Sequence, residues 1–241
     1  MLKKGIIIGL SISVSILFTG CGSDDESSSS SSVTFKGITY TDVKSSKTGK
    51  TWLNKNLGAS QVCTSKTDSA CYGDYYQWGR ETDGHEKSNS TVVNSQVAVI
   101  TNAGSNFLTG SYDWSTTDSS GDIRQSNWAK TDGSVICPSG YRVPTFNEIQ
   151  DEFSSDTPYD DKNFESNLKF SLAGHREFVN GGLINQGSEA AYWTQNNHDT
   201  NTSSALLVQY TSTYSTSVSN GIYNVKYAQM AFGLPVRCIK D

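Results

Sequence analysis

The chain has 241 residues, of which 19 are basic and 24 acidic, and its hydrophobic content is only 35% against 11% aromatic. A net charge of −5 without any basic stripe argues against nucleic acid as a partner. The length suits one domain of about 200 residues behind a leader, large enough for a real core, and the abundance of Ser, Thr, Asn and Gly describes a loop-rich, β-leaning exported chain.

Lys3 and Lys4 precede an uncharged run from Ile6 to Phe18. That run is too short to cross a hydrocarbon core, which takes about 20 apolar residues, and it reads as the apolar part of a signal peptide over residues 1–20. Leu17-Phe18-Thr19-Gly20-Cys21 resembles the bacterial lipobox, with Phe18 where Leu is usual. The resemblance implies that Cys21 is lipidated, carries palmitate-type acyl chains and becomes the mature N-terminus, so that the membrane is a partner through the anchor. Removal of residues 1–20 leaves 17 basic residues against 24 acidic. Residues 21–34 hold Asp24-Asp25-Glu26 and six serines from Ser27 to Ser32, a polar tether that has nothing to bury. The acidic cluster resembles signals that send lipoproteins to the cell surface. Gly22 is not the Asp that retains them at the inner membrane, so an outer-membrane, cell-surface location is expected. No other apolar segment is long enough to span a membrane.

Four cysteines are left after Cys21: Cys63, Cys71, Cys137 and Cys238. In an oxidising compartment they imply two disulfides with three pairings open. Cys63 with Cys71 is the simplest short loop, which would leave Cys137 with Cys238. Zinc is the rival reading, but there is no Cys-x-x-Cys and the three histidines, His85, His175 and His198, are scattered.

Along the domain from residue 35 to 241, the stretch 33–54 alternates as a β-hairpin or meander with a turn at Lys47 to Lys50. Residues 72–78 are strand-like. From about 84 to 134 apolar residues are sparse, and the stretch is too long for an ordinary connection. It reads as an ordered insertion pinned by Phe107, Tyr112, Trp114 and Trp128. Thr145 and Glu148 form a capping box ahead of Phe146, Ile149 and Phe153 on one helical face. Leu168, Phe170 and Leu172 alternate, Asn180-Gly181 signals a hairpin turn, and strands are expected at 190–194, 205–211, 221–226 and 230–239.

Several blocks in this order resemble the Fibrobacter succinogenes major paralogous domain family. They are Thr51-Trp52-Leu53-Asn54-Lys55-Asn56-Leu57; Tyr75-Tyr76-Gln77-Trp78-Gly79-Arg80 with Asp83-Gly84-His85; Tyr112-Asp113-Trp114; Cys137-Pro138-Ser139-Gly140-Tyr141-Arg142-Val143-Pro144-Thr145; Leu172-Ala173-Gly174-His175-Arg176; Ala191-Tyr192-Trp193-Thr194; and Phe232-Gly233-Leu234-Pro235-Val236-Arg237-Cys238. The resemblance implies an α+β, C-type-lectin-like fold: a small twisted antiparallel sheet, one or two helices, long loops and termini brought together. It also supports pairing Cys137 with Cys238.

No catalytic constellation stands out, and the chain is read as a binding protein without an enzyme activity, the alternatives being a formylglycine-oxidase-like enzyme and a structural or adhesive envelope component without a discrete site. Asp160-Asp161 reads as solvated surface. His85 lies near Glu81, Asp83 and Glu86, a set that suggests a metal, but its motif favours a structural loop role; His175 stands where relatives carry Tyr and reads as a filler. No Gly-x-Ser-x-Gly elbow occurs. Formylglycine-generating enzymes share the expected fold, yet no reactive cysteine pair is left for oxidase chemistry. No cofactor is implied, calcium being the one ion left open. Residues 192–227 interleave Trp193, Tyr210, Tyr214, Tyr223, Asn224 and Tyr227 with Ser and Thr, the mixture of rigid rings and adaptable hydrogen-bonding groups that suits a paratope. They are the candidate ligand-binding residues, for an unidentified protein or glycan. Tyr192 and Phe232 read as core.

Overall fold

The computed structural model describes residues 31–153, 167–197, 204–211 and 224–241, the stretches 204–211 and 224–226 as backbone alone. Residues 1–20, read above as a signal peptide, lie outside the described residues, as do Cys21, Asp24-Asp25-Glu26, Asp160-Asp161, His198, Tyr214 and Tyr223. Over these residues the fold is mixed α+β: short, mostly antiparallel strands, two α-helices and a curled antiparallel sheet. Among the described residues no helix is long and apolar enough to cross a membrane.

The meander expected at 33–54 forms β1 (Ser32–Phe35), β2 (Ile38–Lys44) and β3 (Thr51–Leu53). Lys36 and Gly37 both take positive φ, which matches a two-residue turn to the twist of its strands. Strand β14 (Ile239–Lys240) runs between β3 and β7 (Tyr141–Arg142), with Ile239 opposite both Trp52 and Arg142. The first and last strands thus share one sheet, in the order β1-β2-β3-β14-β7. A second sheet joins β4 (Tyr76–Gln77), β13 (Gly233–Leu234), β8 (His175–Arg176) and β9 (Leu183–Ile184). Its β8–β9 hairpin carries the expected Asn180-Gly181 turn, closed by the Glu177 N–H donating to the Gly182 carbonyl at 2.8 Å. A third comprises β10 (Glu189–Asn197), β11 (Ser204–Thr211) and β12 (Asn224–Gln229).

Strand β10 is the centre of the molecule because both of its faces are buried. Side chains alternate across a strand, so Ala191 and Trp193 enter one core with Trp78, Trp128 and Val143, while Ala190 and Tyr192 enter another with Trp52, Ile149, Phe153 and Phe170. The second core rests on α2 (Phe146–Phe153), whose capping box forms as expected: the Thr145 hydroxyl accepts the Glu148 N–H at 3.3 Å and the Glu148 carboxylate accepts the Thr145 N–H at 2.8 Å. Leu168, Phe170 and Leu172 are buried but join no ladder; Leu172 N–H instead donates to the Lys66 carbonyl.

The 84–134 insertion is ordered around β5 (Val92–Asn94), β6 (Phe107–Thr109) and a second helix, α1 (Asp122–Trp128). Phe107, Trp114 and Trp128 are its buried anchors. Tyr112 is not; it is 61% exposed, its ring packs on Phe178 and its carbonyl accepts the Ala231 N–H at 3.1 Å. Phe232 is likewise only partly buried, at the edge of the first core, because its ring packs on His175 and Phe178 near the surface. Both disulfides expected from the sequence are present, Cys63–Cys71 and Cys137–Cys238.

Candidate functional site

Long loops create a physical problem before they create a site, since buried carbonyls outside a ladder still need donors. Four fully buried arginines solve it here. Their stems are apolar and each guanidinium carries five donors in a fixed plane. Arg80 donates to the carbonyls of Asn106 and Gly104 and to Asp83. Arg124 makes a two-pronged pair with Asp113 and also reaches Asp118. Arg176 donates to Gly181, Lys87 and Ser90 with its guanidinium 4.1 Å from the centre of the Phe107 ring, and Arg237 donates to Asn56, Leu53 and Leu168. Two glycines of the quoted blocks fit the same reading. A Cβ on Gly79 would lie 2.5 Å from the Arg124 side chain, and one on Gly174 would lie 2.1 Å from the Ile184 carbonyl. Most residues of the motif blocks therefore build scaffold.

The best arranged polar cluster joins Arg80, Asp83, His85 and Glu86. Asp83, His85 and Glu86 each offer a ligand atom within 4.8 Å of the others, a spacing that would suit a cation. The hydrogen bonds assign those atoms elsewhere. His85 is fully buried, and burial pushes its pKa down to about 4, so the ring is neutral. Its Nε2 accepts the Gln77 N–H at 3.0 Å, which puts the proton on Nδ1, 2.5 Å from Asp83. The other Asp83 oxygen takes Arg80 at 2.9 Å, and Glu86 accepts the Gly84 N–H at 2.8 Å. The Asp83–His85 contact is a hydrogen bond from a neutral ring to a carboxylate rather than an ion pair, and the cluster closes the loop that carries the start of the insertion.

A second cluster surrounds His175, on β8. Its Nδ1 lies 3.4 Å from Glu189 and its Nε2 3.3 Å from Glu177. Burial works against protonation, but hydrogen bonds and charge from Glu189 and Glu177 outweigh it and raise the pKa. Its ring also meets Phe232 edge to face at 5.3 Å. His175 is thus an ion-paired tie between the β8–β9 hairpin and the start of β10.

No family model matches this chain, and neither does any curated protein or solved structure. Function must be read from the geometry.

Of the residues singled out as ligand-binding, Trp193 is corrected. It is 0% exposed, and its indole N–H donates to the Tyr76 carbonyl at 2.7 Å inside the first core. The physical reason is the double burial of β10: an aromatic in a strand packed on both faces has no solvent side. Tyr192, also 0% exposed, is core as expected. Tyr210 lies in β11 and Asn224 in β12. Tyr227, on β12, is 59% exposed. The structure therefore keeps Tyr227 as an outward ring and removes Trp193.

Sequence reading missed a surface on the insertion. From Ser88 to Tyr112 there is no acidic, basic or histidine residue, in a chain that is 18% charged. That gap was the available signal.

Proposed function

We propose that the chain is a lipid-anchored surface lipoprotein whose residues 35–241 are a C-type-lectin-like binding domain of the Fibrobacter succinogenes major paralogous type. It engages a protein or glycan ligand through the β11–β12 side, around Tyr227. The observation that carries this reading is a rigid support under an outward ring: β10 is held between two cores, β11 pairs with it, β12 pairs with β11, and Tyr227 on that outer strand is largely exposed. A ring mounted on an ordered strand loses little entropy when it binds. The short antiparallel sheets, two helices, arginine-braced loops and shared sheet of the first and last strands all suit a lectin-like domain. All four cysteines of the domain are paired, which weighs against a thiol oxidase of the formylglycine-generating type.

Glycan arrays and quantitative pull-down with the full-length chain test the reading. Tyr227→Ala should weaken a captured ligand by roughly 1–3 kcal/mol, as exposed aromatic hot spots do, without lowering the melting temperature. Equal binding by parent and variant would move the face elsewhere. Cys21→Ser should abolish labelling by a palmitate analogue; persistent labelling would remove the anchor from the proposal.

A further inference from the structure

We infer that the uncharged face around Tyr112 is a second binding site, built on a different ring from Tyr227, and that it takes a neutral polysaccharide. Three chain segments meet there. The β8–β9 turn packs on β5, where a Cβ added to Gly181 would sit 2.5 Å from Val92. Gly110 N–H donates to the Phe178 carbonyl at 2.9 Å, and its backbone lies against the Asn94 side chain. The Tyr112 ring then rests on Phe178, centroids 5.5 Å apart, and Phe178 rests on Phe232 at 4.8 Å.

The resulting face is apolar and exposed. Tyr112 is 61% and Val179 60% exposed, with Val92 beside them at 39%. An exposed apolar group of this kind, drawn from separate segments, marks an interaction site rather than scattered surface residues. Its mounting is already fixed by the contacts beneath it, so binding there orders little that was free.

Charge decides the occupant. Residues 88–112 hold no charged side chain, where a run of that length at the chain's 18% would hold four or five, and residues 178–184 hold none either. An acidic polymer, a nucleic acid or a lipid headgroup gains nothing from such a surface. A protein partner would ordinarily meet a rim able to steer it by charge. Carboxamides from Asn94 and Asn180 instead offer both donors and acceptors, the complement of a sugar hydroxyl. The Tyr112 ring offers a flat apolar face with a polar tip, on which the C–H face of a pyranose ring can stack. Aromatic ring, aliphatic flank and carboxamides, all drawn from stretches without charged side chains, together fit uncharged sugar units.

Native affinity electrophoresis of the full-length chain in detergent tests this. Gels would contain hydroxyethylcellulose, galactomannan or xylan as neutral probes and polygalacturonate as the acidic one. At least one neutral polymer should retard the protein, equally at about 50 and about 500 mM salt, a range over which exposed charges are screened. Tyr112→Ala should weaken retardation at least about tenfold, the scale of an aromatic hot spot. Tyr112→Phe should keep it within about twofold, since the ring carries the stacking. Unchanged melting temperatures would establish that both variants are folded. Absence of retardation by every neutral polymer, equal retardation of Tyr112→Ala, or salt-sensitive binding to polygalacturonate alone would each overturn the inference. So would sedimentation showing a dimer that Tyr112→Ala dissolves, because a second copy would then be the occupant. Loss of binding in Tyr227→Ala with Tyr112→Ala unaffected would keep the β11–β12 reading and sink this one.

Discussion

Tyr192 and Trp193, adjacent in the chain, serve two different cores. The Tyr192 hydroxyl accepts the Ser171 N–H at 2.9 Å in the core built on α2, whereas the Trp193 indole donates to the Tyr76 carbonyl in the core containing Trp78 and Trp128. One strand thereby couples the packing of both.

Truncating either residue should be costly. Tyr192→Ala and Trp193→Ala should each lower unfolding free energy by about 3–5 kcal/mol, as large-to-small core changes do. Tyr192→Phe should cost only about 1–3 kcal/mol, because it keeps the ring but leaves Ser171 N–H without its acceptor. Urea titrations check this; a Trp193→Ala variant as stable as the parent would contradict the burial described for β10.

The two disulfides should contribute unequally. By the chain-entropy argument the Cys137–Cys238 bridge, which spans 101 residues, stabilises by about 4–5 kcal/mol, and the 8-residue Cys63–Cys71 loop by about 2–3 kcal/mol. Double Cys→Ser variants of each pair, compared by denaturant midpoint, should fall in that order. Non-reducing peptide mapping should recover these two links and no others among the four.

The histidine tie should give stability a pH dependence. The folded pKa of His175 is raised above its ordinary 6.5. Its contribution is therefore fully present below about pH 6.5 and is lost as pH rises through the higher folded value. Between about pH 6 and 9 the parent should lose more stability than His175→Gln, which cannot titrate. Parallel curves for the two proteins would show that Glu189 and Glu177 do not hold the proton.

Lysine should fail where arginine serves. Arg176 reaches the carbonyls of Gly181, Lys87 and Ser90 together from a stacked position on Phe107. A lysine ammonium cannot span them, so Arg176→Lys should cost about 3 kcal/mol and loosen the loops it braces. Hydrogen exchange of the 87–90 and 177–182 amides gives the readout; native-like protection in the variant would count against the brace.

What could be read from the sequence was local. The α2 cap lies within four residues, and the β1–β3 meander and the Asn180-Gly181 turn are equally short-range. Helix α1 escaped because its inner face is Arg124 and Trp128 while Ile123 points to solvent, 54% exposed, so no apolar periodicity announces it. Trp193 was misjudged because polar neighbours suggested an open face, whereas burial of β10 depends on partners more than 100 residues away, such as Trp78. Tyr112 was misread in the opposite sense: an aromatic in a polar stretch looked like an anchor beside Trp114, but of the two only Trp114 is buried. The arginine braces are invisible to any pattern based on hydrophobicity.

The 137–238 bridge also determines what a protease can achieve. A single backbone cut anywhere between those two positions would leave both pieces covalently joined, with the N-terminal piece holding at least β1 to β6 and the C-terminal piece still attached beside them through β14. On a gel such a nicked protein would run as one chain until reductant was added. Shedding part of the domain would need two cuts, or one cut together with a thiol, so damage at one surface loop need not release what the domain holds.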